Sequence, residues 1–206
     1  MELRCPARGA GVQVFAVTAP AYRYFLETGG VLEQIRTILR GLQTDDLEAL
    51  QKASDRIRIL IEKQDLPEKM AQTILRAYDK LATGKDPKTL PVAVRSSATA
   101  EDLPGASFAG QQDTFLNIFR DDLLEKVKAC WSSLFTPRAI AYRQEKGFDH
   151  DQVLISVAVQ EMVPAKVSGV LFTIEPVTGD RDQVVINASW GLGEAVVGGK
   201  DIFNYW

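Results

Sequence analysis

The sequence predicts an α+β fold in which a mainly helical part, residues 1–86, precedes an α/β part, residues 87–206. Two observations support this prediction. Before Gly84, apolar residues recur every three or four positions, as on one buried face of a helix. After Pro87, short apolar or alternating runs typical of strands are mixed with further helical periodicity. The polar stretch between these two residues is the predicted boundary.

Four helices are predicted in the first part. Thr18 and Pro20 supply an N-cap and an early proline for the first helix, which ends at Gly29 and Gly30. The other three show apolar stripes, which indicate ordinary packing because helices in water are stabilised mainly by one buried face. The stripes are Leu32, Ile35, Ile38, Leu39 and Leu42, then Leu47, Leu50, Ile57, Leu60 and Ile61, then Met70, Ile74, Leu75, Tyr78 and Leu81.

The second part alternates predicted strands and helices. The periodicity predicts strands at 91–95, 113–118, 153–159, 167–174 and 183–188, and helices at 121–135 and 137–147. At least three of the strands therefore follow one another near the C-terminal end.

Composition excludes several classes of protein. Lys and Arg total 24 against 27 Asp and Glu, so no basic surplus indicates binding to nucleic acid. No apolar run approaches membrane-spanning length, and we expect no membrane partner. Cys5 and Cys130 form no metal or redox motif, which favours a reduced, cytoplasmic protein. His150, the single histidine, lies between two aspartates and is predicted to be a surface residue rather than a base.

The segment from Val94 to Asp113 is the strongest candidate for chemistry. Arg95 stands at the end of an apolar strand, and hydroxyl, acidic and small residues with two glycines follow it. A guanidinium fork suits phosphate oxygens, and glycine lets a backbone approach a ligand closely. The residues thus predict a phosphate cradle, with a solvated loop whose arginine pairs with Glu101 or Asp102 as the alternative.

A second segment, residues 159–164, could bind a purine through its backbone, with Met162 and Val163 packing on the ring. Glu175 and Glu194 are candidate carboxylates near phosphates, where Mg²⁺ needs oxygen ligands; the alternative is that both are solvated surface residues. The Walker and GxGxxG patterns are absent, so a nucleotide would be held by another architecture.

Three segments resemble one known family. They are VRSSATAEDLPGASFAGQQDTFLNI at 94–118, VQEMVPAKVSGVLFTIEPVTGD at 159–180 and INASWGLGEAVVGG at 186–199. Each is similar to the N-terminal nucleotide-binding domain shared by phosphoenolpyruvate synthase, pyruvate phosphate dikinase and rifampicin phosphotransferase. The resemblance runs in order over nearly the whole chain.

The resemblance implies an ATP-grasp-like fold that holds ATP with Mg²⁺ between two α/β lobes. In the family, ATP phosphorylates a histidine on a separate swivelling domain, and this histidine then phosphorylates pyruvate or the antibiotic. By position the resemblance implies Arg95 as the catalytic and phosphate contact, Gly110 and Gln111 in the loop over the phosphates, Glu161 and Val163 at the adenine edge, Thr173 and Glu175 near the ribose or phosphates, and Glu194 near the nucleotide.

The chain also departs from the family pattern. The first lysine is Lys52, so the phosphate-gripping lysine that the family carries near its N-terminus has no counterpart. The later part of the nucleotide domain, the phosphohistidine domain and the pyruvate-binding domain are not in the sequence. We therefore interpret the chain as part of a larger phosphoenolpyruvate synthase-like enzyme, not active alone. The alternatives are the ATP-binding part of a rifampicin phosphotransferase, and a non-catalytic binding or assembly module that has lost ATP.

Overall fold

A computed structural model describes residues 12–98, 113–198 and 203–205 of the chain. Contacts between Cα atoms divide it into two compact units, Met1–Met162 and Val163–Trp206. The predicted division between residues 86 and 87 remains a prediction. The fold is mixed, with helices concentrated in the first half and two antiparallel sheets.

Six α-helices belong to the first unit within the described residues. They are α1 Ala19–Thr28, α2 Val31–Leu39, α3 Leu47–Lys63, α4 Glu68–Leu81, α5 Leu123–Ser132 and α6 Pro137–Glu145. The start of α3 is fixed by Asp46, whose carboxylate accepts a hydrogen bond from the Ala49 N–H at 2.9 Å. Thr136 caps α6 in the same way, and Pro137 occupies the first helical turn.

Four strands of the first unit form one antiparallel sheet in the order β1-β4-β2-β3. Their bounds are β1 Val14–Val17, β2 Val92–Ala98, β3 Thr114–Ile118 and β4 Ile155–Glu161. Strand β4 is central although it comes last in sequence. Alternate residues of β2 and β4, among them Val92, Val94, Val157 and Val159, are fully buried on one face of the sheet.

The core of the first unit lies on this buried face of the sheet. Helix α5 packs against β2 and β4 on one side and α3 on the other. Its Trp131 is fully buried, with ring centroids 4.8 Å from Phe25 and 5.7 Å from Tyr22. Large aromatic side chains of this kind dominate core energetics. The sheet is therefore covered by helices on one face.

The second unit contains a three-stranded antiparallel sheet in the order β5-β6-β7 and one short helix. The elements are β5 Val167–Phe172, β6 Val185–Trp190, α7 Glu194–Val197 and β7 Phe203–Tyr205. Many large apolar side chains here are exposed: Val163, Val167, Val170, Leu171, Phe172, Ile174, Val177, Val184, Ile186, Trp190 and Val197.

Most predicted elements are confirmed, with two kinds of difference. The strands β1 and β7 were not predicted. Leu47, predicted to face inward, is 76% exposed because it is the first residue of α3, one turn before the stripe that begins at Leu50. Within the described residues, no helix is both long and apolar enough to cross a bilayer.

Candidate functional site

Arg95 is the central residue of the candidate site. It is the fourth residue of β2 and is exposed, whereas Val92 and Val94 on the same strand are fully buried. Because successive side chains of a strand point to opposite faces, Arg95 lies on the sheet face opposite to the helix-covered core. Its guanidinium is thus on a face where a ligand can reach it.

The neighbours of Arg95 across the sheet are small. Strand register places Ala158 of β4 and Thr114 of β3 opposite Arg95, and Ala16 of β1 opposite Ala158. Residues in register share a face, so these four form one row across all four strands. Ser97 and Ser156 are paired in the next row. A long cationic side chain among small ones leaves room for an anionic group, and a guanidinium can donate two parallel hydrogen bonds to it.

Gly110 and Gln111, predicted to close over the phosphates, lie outside the described residues. The structure does show how the chain is anchored on either side of that segment. The Ser96 hydroxyl donates to the Asp113 carbonyl at 3.2 Å, and an Arg58 guanidinium nitrogen lies 3.6 Å from the Asp113 carboxylate. The end of β2 and the start of β3 are therefore fastened together on the side facing α3.

The buried thiol of Cys130 contacts the same region. Its Sγ lies 3.7 Å from the Val94 carbonyl and 3.8 Å from the Asp113 carbonyl, and burial raises its pKa to about 12. A thiol with so high a pKa has almost no thiolate at neutral pH and is a poor nucleophile. Cys130 therefore supports the strands structurally.

Glu161 is the last residue of β4, and its carboxylate pairs with the Lys85 ammonium. The Glu161 N–H donates to the Gln13 carbonyl at 2.9 Å, and the Met162 N–H donates to the Pro91 carbonyl at 3.0 Å. Glu161 is in phase with the buried residues of β4, so its side chain points to the face opposite Arg95. Lys85 was not singled out in the sequence, where it was part of the predicted boundary.

The remaining predicted contacts belong to the second unit. Val163 is 52% exposed, and Thr173 is exposed directly after β5. Glu194 is exposed at the first position of α7. These three side chains are thus available to a ligand, and their role as nucleotide contacts remains a prediction.

Glu175 differs from the other predicted carboxylates because it is buried and hydrogen-bonded within its own turn. Its Oε2 accepts from the Val177 N–H at 2.9 Å, the Thr178 hydroxyl at 2.7 Å and the Thr178 N–H. The Thr178 donors, together with the Val177 N–H, lower the pKa of Glu175. The Gly179 N–H donates a hydrogen bond to the Glu175 carbonyl at 2.8 Å, which closes the turn. The carboxylate is thus ionised and held in place by the loop.

His150 corrects the prediction of a surface residue. It is half-buried, and its Nδ1 accepts a hydrogen bond from Arg143 Nε at 2.9 Å. Arg143 is 1% exposed, and no described residue accepts a hydrogen bond from its two terminal nitrogens. Burial, followed by the Arg143 charge, lowers the pKa of His150 to about 4. The local acidic sequence suggested solvent exposure, whereas the ring is half-buried and hydrogen-bonded to Arg143 of α6.

The carboxylates of the described residues do not assemble a metal site of their own. No group of three or more His, Cys, Asp or Glu side chains in residues 12–98, 113–198 and 203–205 could hold a metal ion. Mg²⁺ commonly uses one or two protein carboxylates together with substrate phosphates.

Comparison with known proteins identifies the family. Residues 9–202 match the family described as pyruvate phosphate dikinase, AMP/ATP-binding domain. The chain belongs to this family. The predicted resemblance is thereby confirmed. The matched range contains the strands that carry Arg95 and Glu161, and all of the second unit's predicted contacts.

The similar curated proteins are much longer than this chain. A probable phosphoenolpyruvate synthase of Methanocaldococcus jannaschii is 52% identical over 187 residues, which cover 90% of this chain and 16% of that protein. The phosphoenolpyruvate synthase of Pyrococcus furiosus is 45% identical over 226 residues, covering 92% and 28%. That of Aquifex aeolicus is 49% identical, covering 90% and 22%. The chain thus spans less than a third of the length of these relatives.

Proposed function

We propose that the chain binds MgATP as the nucleotide-binding part of a phosphoenolpyruvate synthase-type phosphotransferase, in an ATP-grasp-like arrangement. The observation that carries the proposal is the exposed Arg95 in a cross-strand row with Ala16, Ala158 and Thr114. Membership of an AMP/ATP-binding family supports a nucleotide as the ligand. The names of the similar proteins favour phosphoenolpyruvate synthase over rifampicin phosphotransferase as the parent activity.

In this proposal the residues position ATP and stabilise its charge, because phosphoryl transfer needs little covalent help from the protein. Arg95 donates to the phosphate oxygens, and the backbone at Glu161 and Val163 meets the adenine edge. Thr173, Glu175 and Glu194 contact the ribose, phosphates or the Mg²⁺ that accompanies them. The phosphoryl group then passes to a histidine on a separate domain of the parent enzyme and from there to pyruvate. A cytoplasmic location remains part of the proposal.

Calorimetric titration with MgATP tests the proposal. We expect saturable binding by the wild-type chain and weaker binding by Arg95→Ala. A lost charge-assisted hydrogen bond costs about 1.5–3 kcal/mol, which is at least a tenfold rise in Kd. Arg76→Ala, which removes an exposed arginine from α4, is the matched control and should bind as the wild type does. Equal affinities of the two variants would refute the role of Arg95.

A second candidate function is an assembly module without ATP binding. The observation favouring it is the set of exposed apolar side chains in the second unit, which exceeds the scattered apolar exposure normal for a protein surface. Sedimentation velocity separates the two candidates. A concentration-dependent oligomer that shows no heat with MgATP supports the assembly module, whereas a monomer that binds MgATP excludes it.

A further inference from the structure

A buried arginine near the C-terminal end of α6 has two nitrogens without a hydrogen-bond acceptor. Arg143 is 1% exposed, and only its Nε has an acceptor, His150 Nδ1 at 2.9 Å. Neither terminal nitrogen has an acceptor among the described residues. An ionised donor left unsatisfied in the interior is costly, because it has lost both its hydrogen bonds to water and its ionic solvation. The guanidinium therefore needs an acceptor that the described residues do not supply.

The two polar rings beside the guanidinium are neutral. His150 accepts the hydrogen bond from Arg143 with the lone pair of Nδ1, so its imidazole carries no charge. Burial raises the pKa of Tyr22, so its phenol keeps the proton. Neither ring therefore offsets the positive charge of Arg143.

The carboxylates on either side of His150 in the sequence are engaged elsewhere. Asp151 Oδ2 lies 2.5 Å from Arg36 Nε, and Asp149 Oδ1 accepts from the Asp151 N–H at 3.0 Å. The ion pairs between described residues do not include Arg143. The buried charge of Arg143 thus has no paired carboxylate in the part of the chain that the structure describes.

The space next to this group is small. Arg143 Cζ lies over the Phe135 ring, 5.3 Å from its centroid. Phe135, His150 and Tyr22 also line a cavity of about 10 Å³. This volume is close to the minimum that one water-sized particle needs. The cavity therefore suits a single small ion or molecule and is too small for a nucleotide or a peptide.

We propose that Arg143 binds one small monovalent anion of the halide class through its terminal nitrogens. The anion accepts hydrogen bonds from the unsatisfied N–H groups and neutralises the buried charge. A water molecule could accept the same hydrogen bonds but would leave that charge unpaired, which is costly in the interior. This inference is independent of the proposed nucleotide binding.

The position of this anion site links it to the central strand of the first sheet. Residues 146–154 connect α6 to β4, and His150 lies in this connection. The Phe148 N–H donates to the Arg143 carbonyl at 2.8 Å, so Arg143 also holds the connection through its backbone. Occupation of the site should therefore stabilise the packing of this connection against α6.

Urea denaturation in chloride tests the anion site. Sodium chloride replaces sodium gluconate at constant ionic strength, so that only the identity of the anion changes. We expect half-saturation at about 10 mM, so a rise from about 1 to about 100 mM chloride should multiply the folding equilibrium constant about tenfold. Arg143→Met should lose this response. Arg138→Met removes an exposed arginine from the same helix and should keep it.

The inference would be overturned by a wild-type chain that does not respond to chloride, or by an Arg143→Met variant that responds as strongly as the wild type. Anomalous diffraction from wild-type crystals grown in sodium bromide provides a test that does not depend on the folding of Arg143→Met. We expect a bromide peak at hydrogen-bond distance from a terminal nitrogen of Arg143. The absence of a peak there would show that water, and not an anion, satisfies the guanidinium.

Discussion

The pairing of His150 with the buried Arg143 makes stability depend on pH. The hydrogen bond from Arg143 Nε requires an unprotonated Nδ1, so the folded chain holds His150 neutral. Folding lowers its pKa from the ordinary 6.5 to about 4. Between these two values the unfolded chain binds a proton that the folded chain does not. The contribution of His150 to stability is therefore fully present above about pH 6.5 and is lost as pH falls toward 4.

The size of this effect follows from the two pKa values. Proton linkage gives a loss of about 2 kcal/mol in the free energy of unfolding between about pH 7.5 and pH 5. Urea denaturation at both pH values, followed by tryptophan fluorescence, measures the loss. Carboxylates also titrate in this range, and they do so equally in His150→Gln, which lacks the titrating ring. The wild-type loss minus the His150→Gln loss is the contribution of His150.

The single histidine also allows a direct measurement, because only one imidazole resonance needs assignment. We expect NMR to show the Nε2–H tautomer at pH 7 and a titration midpoint well below 6. A midpoint at 6.5 would refute the reasoning, as would the Nδ1–H tautomer. So would a His150→Gln variant whose stability falls with pH as steeply as that of the wild type.

Two further predictions concern packing. Ile57→Ala should lower the free energy of unfolding by about 2–5 kcal/mol, since Ile57 is fully buried. Ile59→Ala, at a half-exposed position on the same helix, should change it by less than about 0.5 kcal/mol. Equal midpoints of urea denaturation for the two variants would contradict the burial of Ile57. Gly169→Ala should disrupt the pairing of β5 with β6, because its Cβ would lie 2.8 Å from the Asn187 carbonyl oxygen. A Cβ added at Gly193 would contact only Ser168 Cβ, at 3.9 Å, so Gly193→Ala should be tolerated. Hydrogen exchange of the β5 amides compares the two variants. Equal protection in both would argue against the close approach at Gly169.

The long helices and the strands with clear alternation could be predicted from the sequence, because their periodicity extends over several turns or residues. The four-residue β1 and three-residue β7 were missed since such short runs carry no resolvable period and exist through pairing with distant strands. Leu47 was misplaced because periodicity does not show where a helix first enters the core.

The candidate site was predictable in part for a different reason. The motif around Arg95 could be recognised locally, but the small residues facing it come from three other strands and could not be deduced from spacing. The burial of Arg143 had a weak signal. It lies three and four positions after the buried Ile140 and Ala139, and so shares their inward face of α6. The charged side chain concealed that pattern.

The order of strands in the first sheet has a consequence for synthesis on the ribosome. Strands β1 and β2 each pair with β4 and are separated by it, yet β4 is the last of the four to be made. Strand β1 cannot find its native neighbour, and β2 can pair only with β3 on one of its edges, until residue 161 has left the exit tunnel, whereas α1 to α4 can collapse on one another beforehand. The nascent chain must therefore carry an unpaired β1, and a β2 with one open edge, until β4 has been made.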